Sequence, residues 1–526
     1  MLGKIVSKPK TLFLLIAVFF ITLAVSLTTH LFEVPDENAH YATVHYLYNQ
    51  GRMPERGDKN THSLEEYKVE EIMGTLEGKN KYSYHPEYRI EQIDGVYGKY
   101  EELISSLNNQ ENKSNYAGRR AAIYPPLYYV LAQPFYAVAE GGSLIDRIFS
   151  VRFLSILITV ATVYFVYLIG VLVIGSVQGG VILSSLFILY PMTTYVGGGI
   201  NSDNLHNLFT TIFTYLSLIV LLKGWTNKLA LTLGIIVGLD LLTKPQGYIL
   251  LPIILLLFCL TYKQFKLKNF IITTLYIALP ILILAGYQEI PKLVSTNPYI
   301  ADSHEIVVGG ESSFIDFSKG YIKTHLTEMP VWYWGVFKWF GLTLPKPFWW
   351  LATRLLMLSA IGVIISLWKD LSVKKISIQT KFVLFAIGAN LIYAFAIFFF
   401  DWQFFQQFGR SLGLQARYYM PLLATQLALI YIGIKNLTSH QLYSRLLISG
   451  LVIFFVFMHL AGFYTQLSGY YDFTSPQIFL DQLSQYKPDY AKGAWWYLWG
   501  FLYLIGVSSI IKMCIKSPFT EDKIVK

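Results

Sequence analysis

The chain has 526 residues, of which 54% are hydrophobic and 14% charged, and its apolar residues fall in runs of about 18 to 22, the length a helix needs to cross hydrocarbon. This excludes a soluble globular protein. The net charge of +9 does not point to nucleic acid, because Lys and Arg gather in short segments between the apolar runs, and the two widely separated cysteines, Cys259 and Cys514, suggest neither a disulfide framework nor a Cys metal site.

Lys4, Lys8 and Lys10 precede an apolar stretch from Leu12 to about Leu27. No convincing small-residue cleavage site follows, so this stretch is expected to be a retained first span with a cytoplasmic N-terminus. Counting that first run at 11–29, further runs lie near 148–174, 177–196, 204–222, 228–243, 248–262, 269–288, 350–367, 380–400, 417–434, 444–463 and 495–513. The expected fold is therefore an all-α polytopic membrane protein of about twelve transmembrane helices.

Residues 124–139 form a shorter apolar stretch with three prolines. If it does not cross, Lys223, Lys228, Lys263, Lys266, Lys268, Lys369, Lys374, Lys375, Lys435, Arg445, Lys512 and Lys516 all fall on the cytoplasmic side. If it crosses, all of them flip outward, so 124–139 is placed in the outer interface. The division expected is a first span at 1–29, a large extracytoplasmic loop at 30–147, a transmembrane core at 148–288, an aromatic extracytoplasmic loop at 289–349, and C-terminal spans with a basic tail at 350–526. The stretch 31–123 carries 16 acidic and 11 basic residues, as fits a non-cytoplasmic loop.

After the first span come Pro35, Asp36 and Glu37, then Ala39 and His40, two adjacent carboxylates opening a helix at the outer surface. Acids in a first helical turn favour the dipole, which is the structural role open to them. A carboxylate at the mouth of a lipid-exposed groove can also deprotonate an acceptor hydroxyl as it attacks an activated sugar.

Asp36 and Glu37, just after the first span, resemble the C-type glycosyltransferase superfamily of protein mannosyltransferases and lipid A aminoarabinose transferases. More narrowly, the chain resembles a bacterial membrane family of unknown function. The likeness rests on Pro35-Asp36-Glu37-x-Ala39-His40, Tyr124-Pro125-Pro126-Leu127-Tyr128-Tyr129, Asn201-Ser202-Asp203, Leu242-Thr243-Lys244-Pro245, Trp334-Gly335-x-Phe337 and Gln415-Ala416-Arg417-Tyr418, in that order. The chain departs from that pattern at Lys338 and Ala416, where glycine is expected.

The resemblance implies an inverting enzyme that takes a sugar from a polyprenyl-phosphate donor, of the undecaprenyl-phosphate type, to a cell-surface glycan, lipid or polymer acceptor. On the charge-derived topology every motif lies on the outer face of a bacterial plasma membrane. Asp36 is then the general base or the acid that orients the acceptor, Glu37 and Asp203 assist, and Lys244, Arg417 and Arg410 hold the donor phosphate, with His40, Tyr124 and Trp334 as substrate contacts. Each has a plainer role open to it: snorkelling for Lys244, an interface anchor or an ion pair with Asp401 for Arg417, helix capping for Asp203, and an aromatic belt for Trp334 and its neighbours. His206 reads as a buried helix histidine rather than a ligand. No cofactor is called for, the outer-loop histidines His40, His45, His85 and His325 have no metal-ligand spacing so a divalent metal stays open without support, and no nucleic-acid partner is expected. The rival readings are a transporter or flippase of lipid-linked saccharides and a glycan polymerase or ligase.

Overall fold

A computed structural model describes residues 9–55, 57–75, 90–118, 121–264, 267–294, 313–338, 341–372, 377–409, 411 and 415–515. The chain is an all-α polytopic membrane protein whose described strands are two short antiparallel pairs, His62–Ser63 with Tyr116–Ala117 and Val336–Phe337 with Leu342–Thr343.

A helix or broken helix stands at each of the apolar runs read from the sequence, but they are not equally long. Among the described residues, eight helices are long and apolar enough to cross a membrane, or nine if Val177–Leu189 and Pro191–Gly197, bent by 68°, form one span. The bend has a local cause. Tyr190 precedes a proline, whose ring forces it out of the helical region, and it sits extended at φ −71° and ψ 117°. The three remaining segments fall short of the expected length because polar or proline-containing breaks cut them. Asn227–Leu241 stops before Lys244-Pro245, Leu250–Thr261 follows the 3-10 turn Pro245–Ile249, and Leu423–Asn436 follows the 3-10 turn Ala416–Leu422, which contains Pro421.

The helix Asp203–Lys223 is central, 83% buried along its apolar window, whereas Lys346–Ser372 and Trp495–Ile515 are 22% buried and present their apolar sides outward. Helix Leu144–Ile174 packs against Pro9–Thr28, Val177–Leu189 and Asp203–Lys223. It begins with a capping box, Ser143 with Asp146, and ends at Gly175 in the left-handed region.

Short helices fill the long segment after the first span: Glu37–Gln50, Leu64–Ile72, Glu101–Ser106, Gln110–Ser114 and Leu127–Val138. The last of these lies in the 124–139 stretch. At twelve residues it is about 18 Å long, short of a crossing, and it packs against Glu37–Gln50 and Leu144–Ile174.

The end of the first helix is closed by the far end of the chain. Tyr471 Oη donates to Thr28 O at 2.7 Å, Lys487 Nζ donates to Thr29 O at 3.2 Å, and Gln466 Nε2 donates to Thr29 Oγ1. The motifs read from the sequence gather at this end of the bundle, and Lys223, Lys263, Lys369, Lys435 and Arg445 lie at the other ends of their helices.

Candidate active site

The site begins with an unusual backbone. Asp36 precedes the helix Glu37–Gln50 with φ 60° and ψ 12°, the left-handed region that aspartate and asparagine tolerate better than most residues. Its side chain caps no helix amide. The carboxylate instead meets Arg417, with Nη2 to Oδ2 at 2.5 Å, while Arg417 Nη1 donates to Pro35 O at 3.3 Å. Asp36 keeps 36% of its side chain exposed, whereas Arg417 keeps 6%, so the acid is reachable and the cation is enclosed.

Beside this pair, Lys244 Nζ bonds to Asp203 Oδ1, and Arg417 Nη1 stands 3.9 Å from Asp203 Oδ2. Asp203 opens a helix, but its carboxylate does not cap it. Asn201 Oδ1 accepts the Asp203 amide at 2.8 Å, and Asn201 Nδ2 donates to Pro35 O at 2.9 Å. One asparagine thus fixes the Asp203 turn to the Asp36 turn. The Lys244 break is fixed from below, where the amides of Thr243 and Lys244 both donate to Asp240 O, each at 2.8 Å. It is fixed from the side as well, through Leu127 N donating to Leu242 O at 2.9 Å.

Tyr124 carries the aromatic part of the site. Lys244 Nζ lies 5.2 Å from its ring centroid, and His40 stacks on it at 5.5 Å and 11°. His40 Nδ1 pairs with Tyr129 Oη at 2.8 Å. Burial, partly opposed by Asp36, pushes the His40 imidazole down to about 3, so it stays neutral through the physiological range. Burial first and Arg417 second push the Lys244 ammonium down to about 7, against the pull of Asp36.

Two buried polar atoms here have no hydrogen-bond partner among the described residues, Arg417 Nε and Asp203 Oδ2. Buried donors and acceptors are nearly always satisfied, so a donor and an acceptor left over in one cluster mark a place for a ligand or water.

The structure therefore brings together Asp36, Asp203, Lys244, Arg417, His40 and Tyr124. Glu37 lies elsewhere in its contacts. It is fully buried and clasped by Arg152, with Nε to Oε1 at 2.7 Å and Nη2 to Oε2 at 2.6 Å, and it accepts Ile200 N at 3.1 Å. The remaining Arg152 donors go to Ser26 O, Thr29 O and His30 O, at 3.0, 3.0 and 2.8 Å. Trp334 also sits away from the cluster, 2% exposed, with Nε1 donating to Thr353 Oγ1 at 3.1 Å and its ring against Tyr190 and Tyr333. Its motif reaches the site through a strut. Tyr195 Oη donates to Glu33 O at 2.6 Å and accepts the Lys338 amide at 3.1 Å. Lys338, where glycine was expected, has φ 49°, the conformation glycine adopts most easily. Arg410 lies outside the described residues, and Arg417 is paired with Asp36 rather than with Asp401, which accepts Ser411 Oγ at 2.6 Å.

Sequence reading missed Arg152, since nothing local tells a buried arginine from an interfacial one. It also missed His206–Asp240, where Nδ1 meets Oδ1 at 2.7 Å inside the bundle. A third group, His62, Glu66 and Glu70, holds its ligand atoms within 4.8 Å of one another, and Glu70 Oε1 accepts Asn38 Nδ2 at 2.6 Å. Its four-residue spacing was legible, with His62 in the strand just before the helix Leu64–Ile72 that carries Glu66 and Glu70, but the outer-loop histidines singled out were His40, His45, His85 and His325. His45 is engaged by Tyr136 Oη and Lys113 O, at 2.8 and 3.0 Å, and His325 by Tyr321 O and Tyr419 Oη, at 3.0 and 2.9 Å. His85 lies outside the described residues.

A family described as predicted membrane protein (DUF2142) matches residues 19–425, which include all six motifs through Arg417 and Tyr418. The chain belongs to that family. No curated protein matches it. Among solved structures it is similar to the crystal structure of ArnT from Cupriavidus metallidurans bound to undecaprenyl phosphate, at 12% identity and a TM-score of 0.43, covering 95% of this chain and 77% of that one. It is also similar to the apo oligosaccharyltransferase of Archaeoglobus fulgidus, at 15% identity and a TM-score of 0.41, covering 90% and 56%. Likeness at this level carries no argument about activity.

Proposed function

We propose that this DUF2142 chain is an inverting glycosyltransferase that moves a sugar from a polyprenyl-phosphate carrier to a glycan, lipid or polymer acceptor at the outer face of a bacterial plasma membrane. The observation that carries the reading is Asp36, which is 36% exposed and held beside Arg417 and the Lys244–Asp203 pair.

The chemistry follows from charge. Asp36 accepts the proton of the acceptor hydroxyl as that oxygen attacks the anomeric carbon, and the carbon–oxygen bond to the carrier breaks with its electron pair on the phosphate. The departing phosphate is a good leaving group and needs no acid. It needs fixed cations, and a buried lysine and arginine supply them, with the planar donor fork of Arg417 suited to phosphate oxygens. Asp203 keeps Lys244 in place until the donor arrives, and Tyr124, stacked with neutral His40, walls the space beside the ammonium. Glu37 acts through Arg152 to hold the turn that carries Asp36, so its role is positional.

The test is reconstitution of purified protein in liposomes with a labelled polyprenyl-phosphate sugar and a surface-polymer extract. A new glycosidic product supports the reading. Movement of the labelled lipid between leaflets with no product supports a flippase instead, and a requirement for an oligosaccharide-chain donor supports a polymerase or ligase.

A further inference from the structure

At the end of the bundle away from Asp36 the helix ends line an open cavity of about 630 Å³ whose polar lining is Lys223, Lys381, Asn227, Asn269 and Thr273, with Trp225 on its wall. Lys223 lies in the last turn of the 21-residue helix that begins at Asp203, which puts the cavity about 30 Å from the candidate active site. The helices Asn227–Leu241, Leu267–Val294 and Ile378–Phe408 begin around it and present three positive dipole ends, while the helix Asp203–Lys223 ends there with its carbonyl end beside Lys223.

The ammonium groups of Lys223 and Lys381 lack a carboxylate partner among the described residues. Lys381 Nζ reaches only Leu221 O, at 3.4 Å. Asp370, the acid nearest to Lys381 in sequence, is turned instead to the hydroxyls of Ser377 and Thr380. Positive charge is thus concentrated in a cavity large enough for a headgroup, with amide and hydroxyl groups to complete its hydrogen bonds.

The surroundings point to a lipid rather than a soluble anion. Trp225 is fixed by Nε1 donating to Thr261 Oγ1 at 2.9 Å and by stacking on Phe258 at 4.7 Å, as a tryptophan at headgroup depth is placed. Leu222 in the lining, and Phe270 and Ile271 next to Asn269 in the chain, are 36%, 37% and 50% exposed, which offers apolar surface to acyl chains.

We propose that this cavity binds an anionic phospholipid, with its phosphate between Lys223 and Lys381 and its chains over Phe270 and Ile271. The site is independent of sugar transfer.

The test is native mass spectrometry of the full chain released from detergent after titration with dioleoyl-phosphatidylglycerol, dioleoyl-phosphatidylcholine or inorganic phosphate. Each lysine facing an anionic headgroup contributes roughly a fivefold factor, so phosphatidylglycerol is expected to be retained about 25-fold better than phosphatidylcholine. The Lys223→Ala/Lys381→Ala variant should lose most of that preference and Lys223→Arg/Lys381→Arg should keep it, with thermal melting confirming that both are folded. Equal retention of the two lipids by the natural chain, or an unchanged preference in the alanine variant, overturns the proposal. Displacement of phosphatidylglycerol by millimolar inorganic phosphate would reassign the cavity to a soluble anion.

Discussion

Arg417 Nη2 and Asp36 Oδ2 stand 2.5 Å apart although 381 positions of chain separate them. The contact holds the carboxylate against an enclosed guanidinium while 36% of the Asp36 side chain stays exposed. Asp36→Asn keeps the left-handed backbone, since asparagine tolerates that region equally well, but loses both charge and basicity. Turnover should fall about 100- to 10,000-fold with melting temperature nearly unchanged. A folded Asp36→Asn protein turning over at more than about a tenth of the natural rate would remove the base from the mechanism.

Lys244→Ala and Arg417→Ala each take one cation from the proposed phosphate site. A charge-assisted hydrogen bond contributes about 1.5–3 kcal/mol, so the donor KM should rise roughly 10- to 100-fold in each. Acceptor KM should move little. Donor titrations in which both variants match the natural protein would leave these residues as anchors of the fold.

The lowered Lys244 supplies a pH dependence of defined sign. The ammonium form, which binds phosphate, dominates below about 7 and is lost above it. Donor KM should therefore rise as pH increases from 6 to 9, while a phosphodiester donor keeps constant charge over that range. Lys244→Arg should flatten the profile, because arginine stays protonated throughout. A profile equally steep in both proteins would assign the titration to another group.

Arg152 and Glu37, both fully buried, form an ion pair with every arginine donor used. Removing one partner strands the other, so Arg152→Met should destabilise by about 3–5 kcal/mol in denaturant or thermal unfolding. Replacing both, as Arg152→Met with Glu37→Gln, should recover part of that loss. A double variant no better than the single would place the value of Arg152 in its three carbonyl contacts.

Membrane sidedness is checked by labelling. In a chain with Cys259 and Cys514 replaced by serine, a membrane-impermeant maleimide applied to intact cells should label Gly141→Cys and spare Lys369→Cys. The reverse pattern would put the site in the cytoplasm.

Much of this architecture was legible in the sequence. Long apolar runs place helices because hydrocarbon demands them, and the charges between runs sorted the motif-bearing ends from the basic ends before any contact was seen. That Asp36, Asp203, Lys244 and Arg417 come together was legible because their motifs fall on one side of the membrane once the basic loops fix the other. Glu37 was less so. Asp36 turns left-handed before the helix and Glu37 opens the helix, so the two side chains point apart, and the direction of each is settled by a partner more than a hundred residues away. Trp334 shows the same gap, since belt, sugar platform and buried core all use tryptophan, and only packing against Tyr190 and Thr353 distinguishes them. The short segments before Leu250 and Leu423 were overestimated because apolar content continues through 3-10 turns that hydropathy does not register.

Closure of the first helix by Tyr471 and Lys487 sets an order of events during biosynthesis. Thr29 emerges from the ribosome 458 positions before Lys487, which at about 5–20 residues per second is an interval of roughly 20 to 90 s. Throughout that time the turn leading to Asp36 is already in the bilayer without the residues that cover it. A ribosome stalled after residue 425 would have delivered the whole family-matched region and yet left the carbonyls of Thr28 and Thr29 without Tyr471 and Lys487.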